Sequence, residues 1–396
     1  MRTERELLHQ LPLLPDLQCA WLLLAMCASP RANHALRTVP PQAVASYAHA
    51  HDAAIWETLE LCLGGIAEAH VAHAQHVATL PAALGGLGLR SAIRTAPAAY
   101  WAAWADALPE LHKRSPAFAE ACTRLLATDG GCAPSLRSAV EARELLQEEG
   151  WHECPSWEAV GAGARPPRLT DQGLGDWPHG WQCCASRIRT SYFRERTLLP
   201  SLSPSACVLL RSQSGPQAGA WLTAIPSEPA CALPPQAMLL ALRRRGLRLP
   251  LPLCASRCGP PGCGGEVDAF GDHALACTRT GLIARRAKIA ERAWVRVARE
   301  AVGPGGQVVP QQWLAHTTAP NVRSDDRRRL DLAVYGATPL GGALCCDATL
   351  VSPLTRTGLP QSCAAAHDGA ALRVAEHRKR AAYSERRPPT TRGARE

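Results

Sequence analysis

The chain has 396 residues, enough for two or three compact domains, and 46% of them are hydrophobic while only 5% are aromatic. That composition predicts a globular core built from Ala, Leu and Val rather than a fibrous or disordered chain. Its formal charge of +9 is uneven: residues 278–396 hold 20 Lys and Arg against 10 Asp and Glu, so the basic surplus lies in the last third, where a polyanion would bind.

Seventeen cysteines spread over so long a chain, with no secretory leader before them, argue against a disulfide scaffold. The apolar run from Ala20 to Ala28 is too short to span a bilayer. A reduced, intracellular protein is expected, with most cysteines acting as small buried hydrophobes.

Residues 1–165 read as helices. Leu17 to Met26 is apolar and is stopped by Ser29-Pro30, and Pro40-Pro41 opens a long amphipathic stretch. Gly85, Gly86 and Gly88 precede a helix carrying Trp101 and Trp104; the spacing fits no phosphate-binding fingerprint, so a packing turn is expected. His70, His73 and His76 share a helical face without a carboxylate or cysteine beside them, which suggests a surface stripe. A Gly/Pro linker, GAGARPPR, ends this region.

Residues 166–250 are expected to be a helical linker region. Cys183 and Cys184 are adjacent and poorly placed to share an ion, so they read as core. Arg243, Arg244 and Arg245 fit either a nucleic-acid contact or a solvated helix end.

Residues 251–281 contain the densest group of soft ligands, CASRCGPPGCGGEVDAFGDHALAC. Cys258, Cys263, His273 and Cys277 form a candidate Cys/Cys/His/Cys zinc knuckle, with Cys254 as a substitute first ligand. A closed tetrahedral Zn2+ site would supply the core that so short a Gly-rich segment lacks. Asp272, next to the histidine, is a candidate to orient it.

Residues 282–385 begin with a basic amphipathic helix ended by Gly303-Pro304-Gly305-Gly306. RRRLDLAVYG and ALCCDATLVSPL then read as successive strands of a hairpin carrying Asp331 and Asp347. Two carboxylates meeting on adjacent strands make a hard-oxygen site suited to Mg2+, which activates water and neutralises phosphodiester charge. A helix with Lys379 and Tyr383 follows. Arg285, Arg286, Lys288, Arg327, Arg328 and Arg329 are candidate phosphate contacts. The tail, 386–396, is rich in Pro and Arg and is expected to be disordered.

These last segments resemble the C-terminal part of non-LTR retrotransposon reverse transcriptases that carry a restriction-like endonuclease. The resemblance rests on CGPPGCGG, DAFGDHALAC, RRLDLAVYG, ALCCDATLVSPL and EHRKRAAYSE, and LQCAWLLLAMCASPRANHALRTVPP extends it upstream. It implies a mainly α N-terminal region similar to the post-polymerase part of such proteins, a CCHC zinc knuckle, and an α/β restriction-endonuclease-like (PD-(D/E)xK) C-terminal domain. Asp331 and Asp347 would hold catalytic Mg2+, and Lys379, with Tyr383 four residues on, would be the displaced catalytic lysine and its tyrosine, Thr349 standing in the lysine's usual slot. Leu330 stands where proline is usual, and Gln311 or Gln312 where a glutamate is expected. No polymerase YxDD turn occurs. The implied activity is nicking of DNA by phosphodiester hydrolysis, with DNA or RNA as partner and the nucleus as location; the alternative is a non-catalytic nucleic-acid-binding remnant.

Overall fold

Helices dominate both units of the chain. The computed structural model describes residues 2–167, 179–252, 257–259, 262–317, 322–337, 343–355 and 357–384. Its contacts divide at Leu251 into a helical unit, Met1–Leu251, and a second unit, Pro252–Glu396.

The helical unit starts with α1 (Arg2–Gln10), α2 (Leu17–Leu22), α3 (Asn33–Thr38), α4 (Pro41–Cys62) and α5 (Glu68–Ala78). It continues through α6 (Ala92–Arg114), α7 (Pro116–Leu126), α8 (Pro134–Glu148), α9 (Trp157–Gly161) and α10 (Trp181–Tyr192). The shorter α11 (Leu199–Ser201), α12 (Pro204–Ser212), α13 (Ala220–Thr223) and α14 (Pro235–Leu240) complete it.

Ala-rich α6 is the axis of one core. Small residues let neighbours approach closely around Trp101, whose ring lies 4.9 Å from Trp151, 5.6 Å from Trp181 and 5.9 Å from Trp157. A second core joins Trp21, Leu24, Leu59 and Leu80 to Leu198, Leu210, Met238 and Leu242. Trp21 Nε1 donates to Leu222 O at 2.8 Å, fixing the two ends of the unit together. Residues 198–249 therefore share a core with residues 8–89, and Trp181, Cys184 and Ala185 join the Trp101 core, so residues 181–249 do not form the separate linker region expected.

Local readings resolve in the same packing. Gly86 makes the close turn: a Cβ there would meet Leu80 O at 2.2 Å. Arg243 donates to Leu63 O at 2.8 Å and Gly65 O at 2.9 Å, closing the C-terminus of α4 rather than meeting solvent or nucleic acid. Cys184 is buried, as expected of core. His73 is half-buried against the unit instead of lying on an open stripe; burial first, then His70 and His76, pull its pKa down.

His51 has no solvent exposure. Its Nδ1 lies 2.8 Å from Glu4 Oε1 and its Nε2 3.2 Å from Ser29 O, both acceptors. The pair must hold two protons for both contacts to be hydrogen bonds. His51→Leu strands the Glu4 carboxyl in the core, so urea unfolding should show a loss of about 3 kcal/mol, while His51→Leu/Glu4→Leu together should recover much of it.

The second unit contains α15 (Asp272–Ala276), α16 (Leu282–Val302), strands β1 (Gln307–Pro310), β2 (Leu332–Tyr335) and β3 (Leu344–Cys346), and α17 (Ala370–Ser384). The sheet is antiparallel throughout, in the order β1-β2-β3. Val295 of α16 packs on Leu332 and Val334, with Val302, Val308 and Cys346 around them. The expected α/β character of this part takes the form of one helix covering three short strands.

Candidate metal and acid sites

The knuckle is a hairpin closed by a short helix. Arg257 bridges Glu266 in antiparallel fashion, and Cys258 N donates to Gly265 O at 2.8 Å. Gly262 lies where a Cβ would be 2.3 Å from Cys258 Sγ, so only glycine lets the loop fold back onto the thiol. α15 carries His273 in its first turn, and Cys277 caps its end.

The ligand atoms of Cys258, Cys263, His273 and Cys277 all lie within 4.8 Å of one another, the only such group of three or more among the described residues. Cys258 Sγ to Cys277 Sγ is 4.0 Å, and Cys263 Sγ to His273 Nε2 is 3.3 Å. A tetrahedral Zn2+ with Zn–S near 2.3 Å places neighbouring ligands roughly 3.8 Å apart, so the set fits a structural zinc ion. The backbone N–H of Arg279 points at Cys277 and holds its thiol down to about 6 despite burial, which favours the ligating thiolate. Cys254 lies outside the described residues.

Asp268 holds the backbone of the turn that presents the histidine. Its carboxylate accepts from His273 N at 2.7 Å, Phe270 N at 2.9 Å and Asp272 N at 3.0 Å. Burial alone would raise its pKa, but these three donors bring it below the usual carboxylate value.

The two acids of the second candidate site meet through strand register. Leu332 of β2 faces Cys346 of β3, so Asp331, one residue before, and Asp347, one residue after, extend the ladder side by side. Asp331 Oδ2 accepts from Ala348 N at 2.7 Å. Lys379 reaches in from α17 to form an ion pair with the Asp347 carboxylate. Asp331, Asp347 and Lys379 are thus brought together; Tyr383 follows in α17, its side chain outside the described residues.

Burial, and then the neighbouring Asp347, push the Asp331 pKa up, while Lys379 pulls it back. Two carboxylates form a partial, hard-oxygen set, of the kind Mg2+ completes with water and substrate oxygens. Because its folded-state pKa is raised, Asp331 favours the fold fully only below its unfolded value, and that contribution is lost as pH rises through the folded value. Asp331→Asn should therefore stabilise the metal-free protein at neutral pH, by on the order of 1 kcal/mol or less after solvent screening. Melting curves at acid and neutral pH test this, the gain being confined to the higher pH.

One link here was absent from the sequence reading. Gln311 stands at φ 54 beside β1, its N–H donating to Asp331 O at 2.8 Å. Its side chain bonds Glu291 of α16, which ties that acid to the same end of the sheet. Gln312 turns away to His316 O at 3.1 Å.

The basic candidates divide. Arg286 donates to Leu275 O at 3.1 Å, and Arg328 pairs with Asp326 at 2.8 Å and reaches Ala382 O at 2.5 Å, so both brace the fold. Arg285, Lys288 and Arg327 are exposed. Arg329 is exposed as well; it donates to Gln311 O at 3.2 Å and stands 5.7 Å from the Trp313 ring.

No family model, curated protein or solved structure matches this chain. None of the helices among the described residues is long and apolar enough to cross a membrane.

Proposed function

We propose that the second unit is a Mg2+-dependent DNA endonuclease that nicks a phosphodiester bond, of the kind carried by non-LTR retrotransposon proteins. The observation that carries this reading is the side-by-side placement of Asp331 and Asp347 with Lys379 on the latter. The order of helix, three antiparallel strands and helix also agrees with the front of a PD-(D/E)xK core. Mg2+ bound by the two carboxylates would polarise the scissile phosphate and an attacking water.

The chain's own groups have separate tasks in this scheme. Asp331 and Asp347 supply the oxygen ligands. Lys379 brings an ammonium to the edge of the pair, where it offsets negative charge building on the phosphorus oxygens. Gln311 donates its side-chain amide to Glu291 of α16, tying that helix to the end of the sheet that carries the pair. The zinc knuckle and exposed Arg285, Lys288, Arg327 and Arg329 would grip the nucleic-acid backbone, and nuclear DNA is the proposed target.

Incubating zinc-loaded protein with supercoiled plasmid and Mg2+ tests the reading: open circles are expected, none in EDTA. Salt-sensitive binding without nicking, with Mg2+ or Mn2+, would instead favour the non-catalytic nucleic-acid-binding remnant.

A further inference from the structure

The helical unit contains a cleft that neither the zinc site nor the acid pair uses. It measures about 340 Å³ and opens between α4, α5, the start of α6 and α10. Three arginines line it, Arg90, Arg94 and Arg189, with His76 and Phe193 beside them. Asp52 is the one acid in the lining. Its carboxylate is occupied by the N-terminus of α6, accepting from Ala92 N at 2.6 Å and Ser91 Oγ at 2.8 Å.

The arginines are held with few counter-charges. Arg94 lies 3.8 Å from the centroid of the Phe193 ring and donates to Thr79 O at 3.1 Å and Thr79 Oγ1 at 3.0 Å, both uncharged acceptors. Burial, with Arg189 adding to it against Asp52 and Glu149, pulls Arg94 down to about 10. Arg189 pairs with Glu149 at 3.2 Å through one nitrogen, while its Nε and Nη1 are buried without a partner. An unsatisfied buried guanidinium donor is costly to a fold. Burial and then Arg94 lower the His76 pKa, which favours the neutral ring.

From this we infer that the cleft binds a phosphate ester, with Arg94 and Arg189 at its floor and Arg90 at its rim. Planar guanidiniums match tetrahedral phosphate oxygens better than they match chloride, and an anion relieves the repulsion between them. The volume suits one nucleotide-sized group, and Trp56 and Phe193 in the lining offer an apolar wall for its base or sugar. A free mononucleotide and the phosphorylated end of a nucleic-acid strand both present this chemistry.

The test uses the full, zinc-loaded chain without Mg2+, at constant ionic strength. Inorganic phosphate, pyrophosphate and a deoxynucleoside monophosphate should each raise the melting temperature relative to chloride. Arg94→Gln should weaken phosphate binding at least about tenfold, and Arg90→Gln, an exposed position that leaves the fold intact, should weaken it several-fold. Unchanged Kd in both variants, or no shift in the wild type, overturns the inference and leaves only general attraction to a basic protein. A short single strand with a 5′-phosphate, compared with its 5′-hydroxyl twin and the mononucleotide, separates the sources. Tightest binding of the phosphorylated strand assigns a strand end, and tightest binding of the mononucleotide assigns a free nucleotide.

Discussion

Asp347→Ala protein should leave supercoiled plasmid closed under conditions where wild-type protein with Mg2+ converts it to open circles. The expected loss is about 10²–10³-fold or more, because a hard cation loses half of its protein oxygens at once. Asp331→Asn should do the same while making the metal-free protein more stable, and that opposition of activity and stability is hard to obtain from misfolding. Lys379→Ala gives a finer test. Lys379 pulls the Asp331 pKa down, so its removal lets the two carboxylates repel without an adjacent cation. The acid limb of the nicking profile should then move to higher pH, besides the fall in rate. Lys379→Arg keeps the charge and should restore the limb even where the bulkier head slows the reaction. Loss of rate with an unmoved pH profile would make Lys379 a structural tether for α17 and sink its assigned role.

The parts of these sites that were legible in the sequence are those whose partners lie close along the chain. Cys258, Cys263, His273 and Cys277 fall within twenty residues of Gly-rich chain, so ligand type and glycine content were enough to point to the knuckle. Asp331 and Asp347 were legible because short strands joined by a turn leave few registers, and one of them sets the acids opposite each other. Lys379 became legible through the family resemblance, as nothing in its own helix distinguishes it from the neighbouring Arg378 and Arg380.

Groups that act through backbone or distant contacts were not legible. Asp268 works by accepting main-chain N–H groups, which no ligand spacing reveals. Glu291 reaches Asp331 only by way of Gln311, whose left-handed backbone aims its side chain at α16. Arg286 and Arg328 read as nucleic-acid contacts by charge, and Arg243 as either such a contact or a solvated helix end, yet each spends its donors on carbonyls or a nearby carboxylate. Arg94 and Arg189 come together from helices far apart in sequence. The merger of residues 198–249 with the first helices was not legible for a related reason: Leu- and Ala-rich helices show which face is buried but not against what.

Zinc removal is the other change expected to have a large effect. Between Arg257 and Cys277 the buried described residues are Cys258, Gly271, Asp272, His273 and Cys277, without a single Leu, Ile or Val. A hairpin and a five-residue helix with no apolar core do little to offset their own chain entropy, and an ion held by the four ligands would replace that core. Structural zinc sites of this size bind with about 10–16 kcal/mol, far more than the hydrogen bonds of the loop supply. Purified protein should contain one zinc per chain, and Co2+ substitution should give the visible bands of tetrahedral thiolate coordination. Cys277→Ser, or a strong chelator, should abolish those bands and open residues 257–277 to proteases. Asp268→Ala leaves all four ligands but frees the turn that presents His273, so zinc affinity should fall by roughly tenfold rather than vanish. Acid should release the metal as protons compete for the thiolates and the imidazole. A knuckle that resists proteolysis equally with and without metal would mean that the loop is held by its hydrogen bonds alone, and that the four ligands meet for a reason other than zinc.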